Sequence, residues 1–525
     1  MTSGEPEAMR RDMMAAARAG ADAVECRLDF LAEIPPRGQL QMLLSDPPVE
    51  VIVTCRPTRE GGRFAGPEAR RLELLRLAGE LGAAFVDVEF DVPRRSWPKA
   101  QVILSHHDLE GCPREADSIA ARMDASPAAV NKLAFTARGP EDALRAFDLI
   151  RACRKPTMAL AMEEHGVMSR ILARKFGAFG TFASLSEGAR SAPGQPTIEQ
   201  FRKLYRWDSI GAGTAVYGVI GCPVAHSLSP AIHNAAFAAT GMDAVYVPLR
   251  IEPGSESFNR FMDALLERPW MDWRGLSVTI PHKENALACV GAENCDELTR
   301  RIGAVNTIAV GPGRHGLLAR MGLARVGPAR MGGVRGRAAS ALRGCNTDYA
   351  AAIDALCSAM GIPREGLRGR RVAVLGAGGA ARAIVAALTH YRAAVTIYNR
   401  TVERAQRLAG EFTCNAAPID KAPQSTDEII INCTPIGMHP HVDATPLERI
   451  PRTVKVVFDT IYDPLETRLL RDAACAGCLT VRGLDMFVNQ AVAQFEFWTG
   501  LPAPRDVMRR VVSESIALPR QTASP

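Results

Sequence analysis

The chain has 525 residues, a length that predicts two or three domains. Its composition, 47% hydrophobic and 23% charged, is that of a globular protein and argues against disordered, collagen-like and membrane-spanning classes. The net charge of +6 depends on residues 311–344, which carry seven arginines and no acid. The other 56 basic and 57 acidic side chains balance, which argues against a polyanion-binding surface.

The N-terminal residues include acids and no apolar run before a small-residue cleavage site, so no secretory signal is predicted. No run of about 18 apolar residues predicts a membrane span. Thirteen cysteines are scattered singly, which is typical of reduced thiols. The one close pair, Cys475 and Cys478, lacks the second pair that a zinc site needs. We therefore expect a cytoplasmic protein without a metal, and leave its oligomeric state open.

Seven apolar, β-rich runs alternate with helix-period stretches from residue 22 to about 185: ADAVECRLDF, VEVIVTCR, AAFVDVEF, AQVILSHHDL, VNKLAFTA, PTMALAM and FGTFASL. Strands separated by helices predict parallel βα units, and polar residues at the strand ends favour a (β/α)₈ barrel of the TIM type. The chain begins with what should be the first helix, so we expect the first of the eight barrel strands to be missing from this sequence.

Stretches rich in Pro, Gly and Ser predict the domain boundaries. The barrel ends near residue 208, and a second αβ region follows. Residues 311–344 form a Gly- and Arg-rich stretch without periodicity, which predicts a flexible insertion. The predicted segments are 1–208, 209–350, 351–482 and 483–525.

Lys132 stands inside the apolar run VNKLAF, where a buried strand is predicted. Burial disfavours the charged form of a lysine, so a lysine in a core tends towards the neutral amine. A neutral amine forms an imine with a ketone, and the positive imine nitrogen makes the neighbouring carbon–hydrogen bond acidic. The alternative is a structural lysine whose ammonium group reaches water at the strand end.

The strands around Lys132 carry further polar side chains at their carboxyl ends. His107 ends the preceding strand and is a candidate proton carrier, because imidazole titrates near neutrality. Arginines at neighbouring strand ends suit a carboxylate substrate, and a carboxylate there can orient the histidine. These neighbours are Glu25, Arg27, Arg56 and Glu60.

Together these motifs resemble those of type I 3-dehydroquinate dehydratases, from about residue 8 to 205. The resemblance implies a Schiff base on Lys132, a general acid/base at His107 and a partner carboxylate at Glu60. The substrate contacts that it implies are Glu25, Arg27, Arg56, Met162, Arg170, Phe182, Ser191 and Gln195.

A second lysine, Lys283, follows a predicted strand and a proline in the stretch GLSVTIPHKEN. Alone it would be a surface lysine. Asp348 in CNTDY changes that interpretation, because a lysine beside an aspartate can exchange a proton with a substrate hydroxyl. For Ser229, before a predicted helix, an N-cap is the alternative to ligand binding. The polar candidates near these two residues are Ser227, Ser229, Thr279, Asn306 and Tyr462.

The stretch VLGAGGAARA contains the pattern G-x-G-x-x-A between a predicted strand and a predicted helix, which is typical of a dinucleotide site. The next predicted strand ends with Asn399, Arg400 and Thr401. NAD enzymes carry an acid here, and an arginine without that acid favours the 2′-phosphate of NADP. The alternative is a glycine turn in a fold that binds no nucleotide.

From residue 214 to about 515 the chain resembles shikimate dehydrogenases, in the motifs HSLSP, SVTIPHK, GAVNT, NTD, GAGGAARA, NRT, NCTPIGM and GLDMFVNQA. The resemblance implies Lys283 and Asp348 as the catalytic pair. The implied shikimate contacts are Ser227, Ser229, Thr279, Asn306, Tyr462, Gln490 and Gln494. The implied NADP contacts are Gly376, Ala377, Gly378, Gly379, Ala380, Ala381, Asn399, Arg400, Thr401, Thr434, Met438 and Gly483.

The order of the two regions resembles that of bifunctional 3-dehydroquinate dehydratase/shikimate dehydrogenases. It implies an α/β chain in which a TIM-type barrel precedes a substrate domain and a Rossmann domain. The expected reactions convert 3-dehydroquinate to 3-dehydroshikimate, and then to shikimate with NADPH. Small-molecule substrates are the expected partners, without nucleic acid or membrane. The alternatives are a lone shikimate or quinate dehydrogenase with an inactive or structural barrel, working with NAD in the quinate case.

Overall fold

The structure is a computed structural model, and its residues form two compact units. It describes residues 1–189, 194–225, 227–311 and 342–517. The first unit comprises Met1–Val216, Ile220–Ala225 and Asp243–Asp272. The second comprises Tyr217–Val219, His226–Met242 and Trp273–Pro525. Within the described ranges, every helix is too short or too polar to cross a membrane. Nearly all of the predicted insertion lies outside these ranges.

A parallel six-stranded sheet, with its strands in chain order, is the centre of the first unit. Each strand pairs in parallel with the next one along the chain, as a βα barrel requires. In the part of the chain that the structure describes, the first and sixth strands do not pair, so the sheet is an open half-barrel. The strands are β1 (Ala23–Arg27), β2 (Glu50–Thr54), β3 (Phe85–Glu89), β4 (Val102–Asp108), β5 (Val130–Thr136) and β6 (Thr157–Met162).

The seventh predicted strand, FGTFASL, does not form a ladder. Its Ser184 makes one isolated bridge with Thr197, and Phe179 donates one backbone hydrogen bond to Thr157. Gly177, at φ +75°, turns the chain just before this stretch, and Gly180 lies inside it. Glycine weakens a strand because it has no side chain to pack, which explains the difference from the prediction.

The helices of the first unit cover the sheet with their apolar faces. The first one shows the pattern: Met9, Met13 and Ala16 are buried at helical spacing, and Gly20 ends the helix in the left-handed conformation that favours glycine. The helices of residues 1–189 are α1 (Pro6–Ala19), α2 (Arg37–Leu44), α3 (Glu68–Glu80), α4 (Ala116–Ala125), α5 (Pro140–Ala152) and α6 (Val167–Ile171).

A five-stranded sheet follows in the chain, with the order β11-β10-β9-β7-β8. Its last three strands in the chain pair antiparallel, and residues 312–341 lie between two of them. The strands are β7 (Ala215–Gly221), β8 (Ala244–Arg250), β9 (Trp273–Val278), β10 (Thr307–Val310) and β11 (Leu342–Cys345). The helices of this region are α7 (Ser229–Ala239), α8 (Ser255–Leu266), α9 (Lys283–Val290) and α10 (Glu297–Ile302).

A third sheet, entirely parallel, has the order β14-β13-β12-β15-β16-β17. The strand order reverses at β12, which comes first in the chain. Ligands of such sheets bind at the carboxyl ends of the strands next to this reversal. The strands are β12 (Arg371–Leu375), β13 (Ala394–Asn399), β14 (Asn415–Pro418), β15 (Ile429–Asn432), β16 (Val456–Asp459) and β17 (Leu479–Val481). The remaining helices are α11 (Thr347–Met360), α12 (Gly379–His390), α13 (Val402–Phe412), α14 (Arg468–Cys475), α15 (Gly483–Thr499) and α16 (Arg505–Ala517).

Candidate active sites

The first candidate site is a cavity of about 220 Å³ at the carboxyl ends of strands of the half-barrel. Parallel strands bring these ends to one edge, so residues far apart in the chain meet there. Predicted site residues that line the cavity are Glu25, Arg27, Arg56, Glu60, His107, Lys132, Met162, Arg170, Phe182 and Gln195. Ser191, the other predicted substrate contact of this site, lies outside the described residues.

Lys132 lies in β5 with 4% of its surface exposed. Its Nζ is 2.9 Å from Asp87 Oδ2 and 3.3 Å from Glu25 Oε1, and lies 4.6 Å from the centroid of the Phe182 ring. The burial agrees with the prediction, whereas the close carboxylates change the electrostatics. The sequence analysis considered burial and did not place two carboxylates within hydrogen-bond distance of the amine.

Asp87 was missed by the sequence analysis. It lies in β3 with Glu89 two residues further on, so the two carboxylates share one face of the strand. Two acids at this spacing near the carboxyl end of a predicted strand gave the same kind of signal that singled out Glu25 and Arg27. Both acids are fully buried.

The carboxylates beside Lys132 are held in the charged form. Burial alone raises the pKa of Glu25, but the positive charges of Lys132 and Arg27 lower it to about 2. Burial also raises the pKa of Asp87, but the positive charges of Arg56 and Lys132, with that of Arg56 the larger effect, lower it below its usual range. Lys132 is therefore paired with two anions across the ordinary pH range.

His107 is paired with Glu60, as predicted from the sequence. Its Nδ1 lies 2.9 Å from Glu60 Oε2, and its backbone N–H donates to the same oxygen over 3.2 Å. Burial lowers the pKa of His107 well below its usual value, and Arg56 and Lys132 act in the same direction. Burial raises the pKa of Glu60 from 4.5 to about 8. The imidazole is thus neutral near pH 7 and able to accept a proton.

Arg56 was predicted to bind a substrate carboxylate, and it lines the cavity with its guanidinium already engaged. Its Nη2 lies 2.8 Å from Asp87 Oδ2, and its Nη1 lies 2.7 Å from Glu89 Oε1 and from Ser105 Oγ. Arg71, fully buried in α3, holds the other Glu89 oxygen at 2.5 Å. Arg56 therefore links the carboxylates of the strand ends to one another, and a substrate would compete with them for its donors.

The two other predicted arginines differ in their partners. Arg27 makes a bidentate pair with Asp29 at 2.8 and 2.7 Å. Arg170 is 3% exposed, and among the described residues its Nε has no hydrogen-bond partner. Burial lowers the pKa of Arg170 to about 10, which leaves it charged near pH 7. A buried cation without a described anion suits a carboxylate ligand in this cavity.

The second candidate site is a cavity of about 240 Å³ in the second unit. Its catalytic candidates are adjacent, since Lys283 Nζ lies 2.6 Å from Asp348 Oδ2. Lys283 begins α9, and Asp348 lies in the first turn of α11. The other predicted shikimate contacts all line the same cavity: Ser227, Ser229, Thr279, Asn306, Tyr462, Gln490 and Gln494.

The N-terminus of α11 is fixed by amide side chains. Asn346 is its N-cap, and its side chain accepts a hydrogen bond from the backbone N–H of Asp348 at 3.0 Å. Asn306 accepts from the backbone N–H of Thr347 at 2.8 Å and donates to the Thr347 hydroxyl at 3.0 Å. These hydrogen bonds fix the first turn of α11, which carries Asp348. Asn306 therefore stabilises the helix end and also lines the cavity.

Gln494 is held from two sides. The Ser277 hydroxyl donates to its Oε1 at 2.9 Å, and its Nε2 donates to Thr307 Oγ1 at 3.2 Å. The nearest ring nitrogen of His233 is 3.3 Å from the same Oε1, and burial lowers the pKa of His233 to about 3. Ser277 lines the cavity and was not among the predicted contacts. Its position two residues before Thr279 on the same strand edge was the available signal.

The glycine pattern of the predicted cofactor site lies between β12 and α12, as expected. Gly376 has φ +103°, and a Cβ there would lie 3.1 Å from the Cys433 carbonyl oxygen, so the turn requires glycine. A Cβ on Gly378 or Gly379 would meet no atom within 4 Å, which leaves open space at the N-terminus of α12. Ala381 is fully buried in the helix. This cradle fits the pyrophosphate of a dinucleotide.

The remaining predicted cofactor residues lie around this cradle. At the end of β13, Asn399 donates to the Thr401 carbonyl oxygen at 2.8 Å, and Arg400 is exposed. The Thr434 hydroxyl donates to Asn432 at 2.7 Å, and Met438 is 46% exposed. Ala380 and Gly483 line the second cavity, while Ala377 follows Gly376 in the turn.

Family models match successive parts of the chain. They are type I 3-dehydroquinase at residues 1–212, shikimate dehydrogenase substrate binding domain at 219–308, shikimate/quinate 5-dehydrogenase at 361–460 and shikimate 5′-dehydrogenase C-terminal domain at 483–512. These matches, with the fold, define an enzyme with a lyase part and an oxidoreductase part.

The relatives combine the same parts. A chloroplastic bifunctional 3-dehydroquinate dehydratase/shikimate dehydrogenase of Arabidopsis thaliana is 37% identical over 518 residues, covering 94% of this chain and 80% of that protein. The NADP(+) shikimate dehydrogenase of Methanosarcina acetivorans is 37% identical over 313 residues, covering 57% and 98%. The chain belongs to the family of bifunctional 3-dehydroquinate dehydratase/shikimate dehydrogenases.

Two solved structures are similar as well. A shikimate dehydrogenase in complex with NADP+ is 32% identical, with a TM-score of 0.49, and the match covers 58% of this chain and 97% of that chain. The dehydroquinate dehydratase and shikimate dehydrogenase structure from S. pombe is 24% identical, with a TM-score of 0.43, and the match covers 98% and 97%.

Proposed function

We propose that the first cavity dehydrates 3-dehydroquinate to 3-dehydroshikimate and that the second reduces 3-dehydroshikimate to shikimate with NADPH. The observation that carries the proposal is the position of Lys132, buried in one cavity with the His107–Glu60 pair and the charged side chain of Arg170. This arrangement supplies a nucleophile, a proton carrier and an anchor for a carboxylate. The alternative of an inactive barrel gives no reason for these groups to converge.

Dehydration begins with binding and imine formation. Arg170 takes the substrate carboxylate, and Lys132 attacks the ketone after it loses a proton, for which the neutral imidazole of His107 in the same cavity is the acceptor. The ketone oxygen leaves as water, and a positively charged iminium forms. Asp87 and Glu25, both negatively charged, then stabilise this cation.

Proton transfer completes the dehydration. The iminium draws electrons from the neighbouring carbon, and neutral His107 removes a proton from it. The electron pair expels the hydroxyl of the next carbon, which leaves as water with the proton from His107. Glu60 holds the imidazole through Nδ1 and leaves Nε2 for the substrate. Hydrolysis of the imine releases the product and regenerates Lys132.

In the second cavity the residues orient a ketone and move one proton. Lys283 donates a proton to the carbonyl oxygen as the ketone is reduced and regains one from water, while Asp348 at 2.6 Å holds the lysine in place. Bound NADPH supplies the hydride. The residues that hold it are those of the cradle at Gly376–Ala381 and Arg400, whose guanidinium suits the 2′-phosphate.

A direct test supplies 3-dehydroquinate to the full-length protein with and without NADPH. We expect 3-dehydroshikimate to accumulate without NADPH, and NADPH to be consumed to give shikimate when it is present. Lys132→Ala should abolish the first step alone, and Lys283→Ala the second alone. If the parent protein reduces added 3-dehydroshikimate but leaves 3-dehydroquinate unchanged, the barrel is inactive and the proposal fails. Faster oxidation of quinate with NAD would instead support the quinate alternative.

The compartment is part of the proposal. The scattered cysteines, without a disulfide framework in the sequence, support a reducing compartment such as the cytoplasm. Measuring the number of free thiols in protein isolated under alkylating conditions tests this: we expect all thirteen cysteines to be alkylated.

A further inference from the structure

Arg250 and Glu252 belong to the region matched by the shikimate dehydrogenase substrate binding model. Inside the first unit they contact Glu164 and His165, which follow β6. Arg250 ends β8 and Glu252 follows it, and both belong to the first compact unit. Arg250 Nη1 donates to Glu164 Oε2 at 2.5 Å, and Arg250 Nε to Glu252 Oε1 at 2.8 Å. The Nε2 of His165 lies 3.1 Å from the same Glu252 oxygen. We call these four residues the clamp.

Arg250 and Glu252 bind Glu164 and His165, which lie within residues 162–170. Both ends of this segment line the first cavity. Met162 and Glu163 line the cavity at its start, and Arg170 lines the cavity at its end. Arg170 makes no ion pair with any described residue that would fix its side chain. Its position therefore depends on the segment that carries it.

The backbone of this segment is strained at Glu163. Its φ of 69° and ψ of 176° lie in a region that only glycine enters without cost. Such a conformation persists only where the surroundings enforce it. On one side the segment is closely packed, since a Cβ on Gly166 would lie 2.1 Å from the Ala161 carbonyl oxygen. On the other side the clamp holds the residues that follow Glu163.

The clamp is a specific contact, because Arg250 is the one side chain among the described residues that pairs with Glu164. Its other oxygen, Oε1, is buried and without a hydrogen bond among the described residues. Loss of Arg250 would leave this carboxylate unpaired and the strained segment held from one side only.

We propose that Arg250, a residue of the region matched by the shikimate dehydrogenase model, is a positioning residue for the dehydratase, acting through Glu164 on Arg170. This inference rests on the proposed dehydration in the first cavity. It predicts that one enzyme part depends on a side chain from the other. Because the effect falls on carboxylate binding in ground and transition states alike, it should raise KM more than it lowers kcat.

The test uses the full-length chain with Arg250→Met. We expect KM for 3-dehydroquinate to rise about fivefold, the size expected for loss of one ion pair whose side chains are 32% and 30% exposed, with kcat within about twofold of the parent. Arg250→Lys should restore part of the loss. Glu164→Gln should raise KM similarly, and the double variant should add little more, because both changes break the same contact. Reduction of 3-dehydroshikimate should keep parental kinetics.

The matched control is Arg268→Met. Arg268 lies in the same part of the first unit and makes an ion pair with Asp148 of α5 at 2.7 Å, and neither residue lines the cavity. This variant should keep the parental KM. The inference fails if Arg250→Met also keeps it, if Arg268→Met raises it equally, or if the double variant is fully additive. If Arg250→Met does not fold, Glu164→Gln with parental KM overturns the inference. A parent that does not dehydrate the substrate overturns the proposed function instead, and this inference with it.

Discussion

Asp87 lies closer to Lys132 than any other described carboxylate, with 2.9 Å between Oδ2 and Nζ. It accepts from the Ser105 hydroxyl at 2.6 Å and pairs with Arg56 at 2.8 Å, so its orientation is fixed before any substrate arrives. A fixed anion beside a nitrogen that carries positive charge during the reaction stabilises the charged intermediate without reorganisation.

Asp87→Asn should therefore lower kcat of dehydration by about 100-fold, the range found when one preorganised electrostatic contact is removed. The measurement is kcat per folded molecule, with the folded fraction taken from circular dichroism. Asp91→Asn is the control, because Asp91 is exposed and pairs with Arg59 at 2.9 Å outside the cavity. Parental kcat in Asp87→Asn, or an equal loss in the control, would contradict this role.

Glu60 makes the folding stability of the protein depend on pH. Its pKa rises from 4.5 in the unfolded chain to about 8 in the fold because of burial, so the folded state binds the extra proton. The resulting stabilisation is complete below pH 4.5 and is lost as the pH rises to about 8. Relative to Glu60→Gln, which does not titrate, the parent should lose up to about 1.4 kcal/mol per pH unit in this window.

The measurement for Glu60 is the urea midpoint of both proteins from pH 4.5 to 9. Above about pH 8 the difference between them should become constant. A difference that stays constant through the window, or that favours the parent more as the pH rises, would show that Glu60 is ionised in the folded protein.

At the scale of residues, the sequence indicated which side chains meet but not which of them are already paired. Lys132, His107 and Glu60 were found because polar groups at the ends of parallel strands share one edge. The engagement of Arg56 with two strands, β3 and β4, and the position of Asp87 beside Lys132 depend on distances between strands that no local pattern encodes.

At the scale of elements, the segment after β6 carries the strain of the first site. Glu163 adopts φ 69° and ψ 176°. Glycine enters this region without steric strain, whereas alanine would be as strained as glutamate. Glu163→Gly should therefore be more stable than Glu163→Ala by about 1 to 2 kcal/mol, although glycine usually weakens a fold. Both variants lose the carboxylate, so the comparison isolates the backbone. Equal stability in urea unfolding would show that the segment is relaxed.

Alternation of apolar runs and helical stretches predicted seven strands of a barrel, and the structure has six of them, β1–β6, in an open sheet. The run FGTFASL has the composition of a strand but makes only scattered backbone contacts. One of its aromatic residues, Phe182, lines the cavity instead and lies beneath Lys132. Composition alone does not distinguish a strand from a segment that packs as a cavity wall.

At the scale of the whole molecule, the family order of lyase and oxidoreductase parts was predicted correctly from the motifs, and the relatives confirm it. The predicted boundaries at 208, 350 and 482 remain predictions. The compact units follow a different division, because Asp243–Asp272 packs within the first unit. Sequence breaks mark where composition changes, whereas compactness depends on contacts such as that of Arg250 with Glu164.

The covalent bond between Lys132 and the substrate is the claim on which the first reaction rests. The most direct test adds sodium borohydride to the full-length protein during turnover of 3-dehydroquinate, followed by peptide mass spectrometry. We predict a reduced adduct on Lys132, and none on Lys175, which is equally buried in the first unit but bonds to the backbone oxygens of Ala212 and Thr214. An active enzyme with no adduct on Lys132 would contradict the imine mechanism.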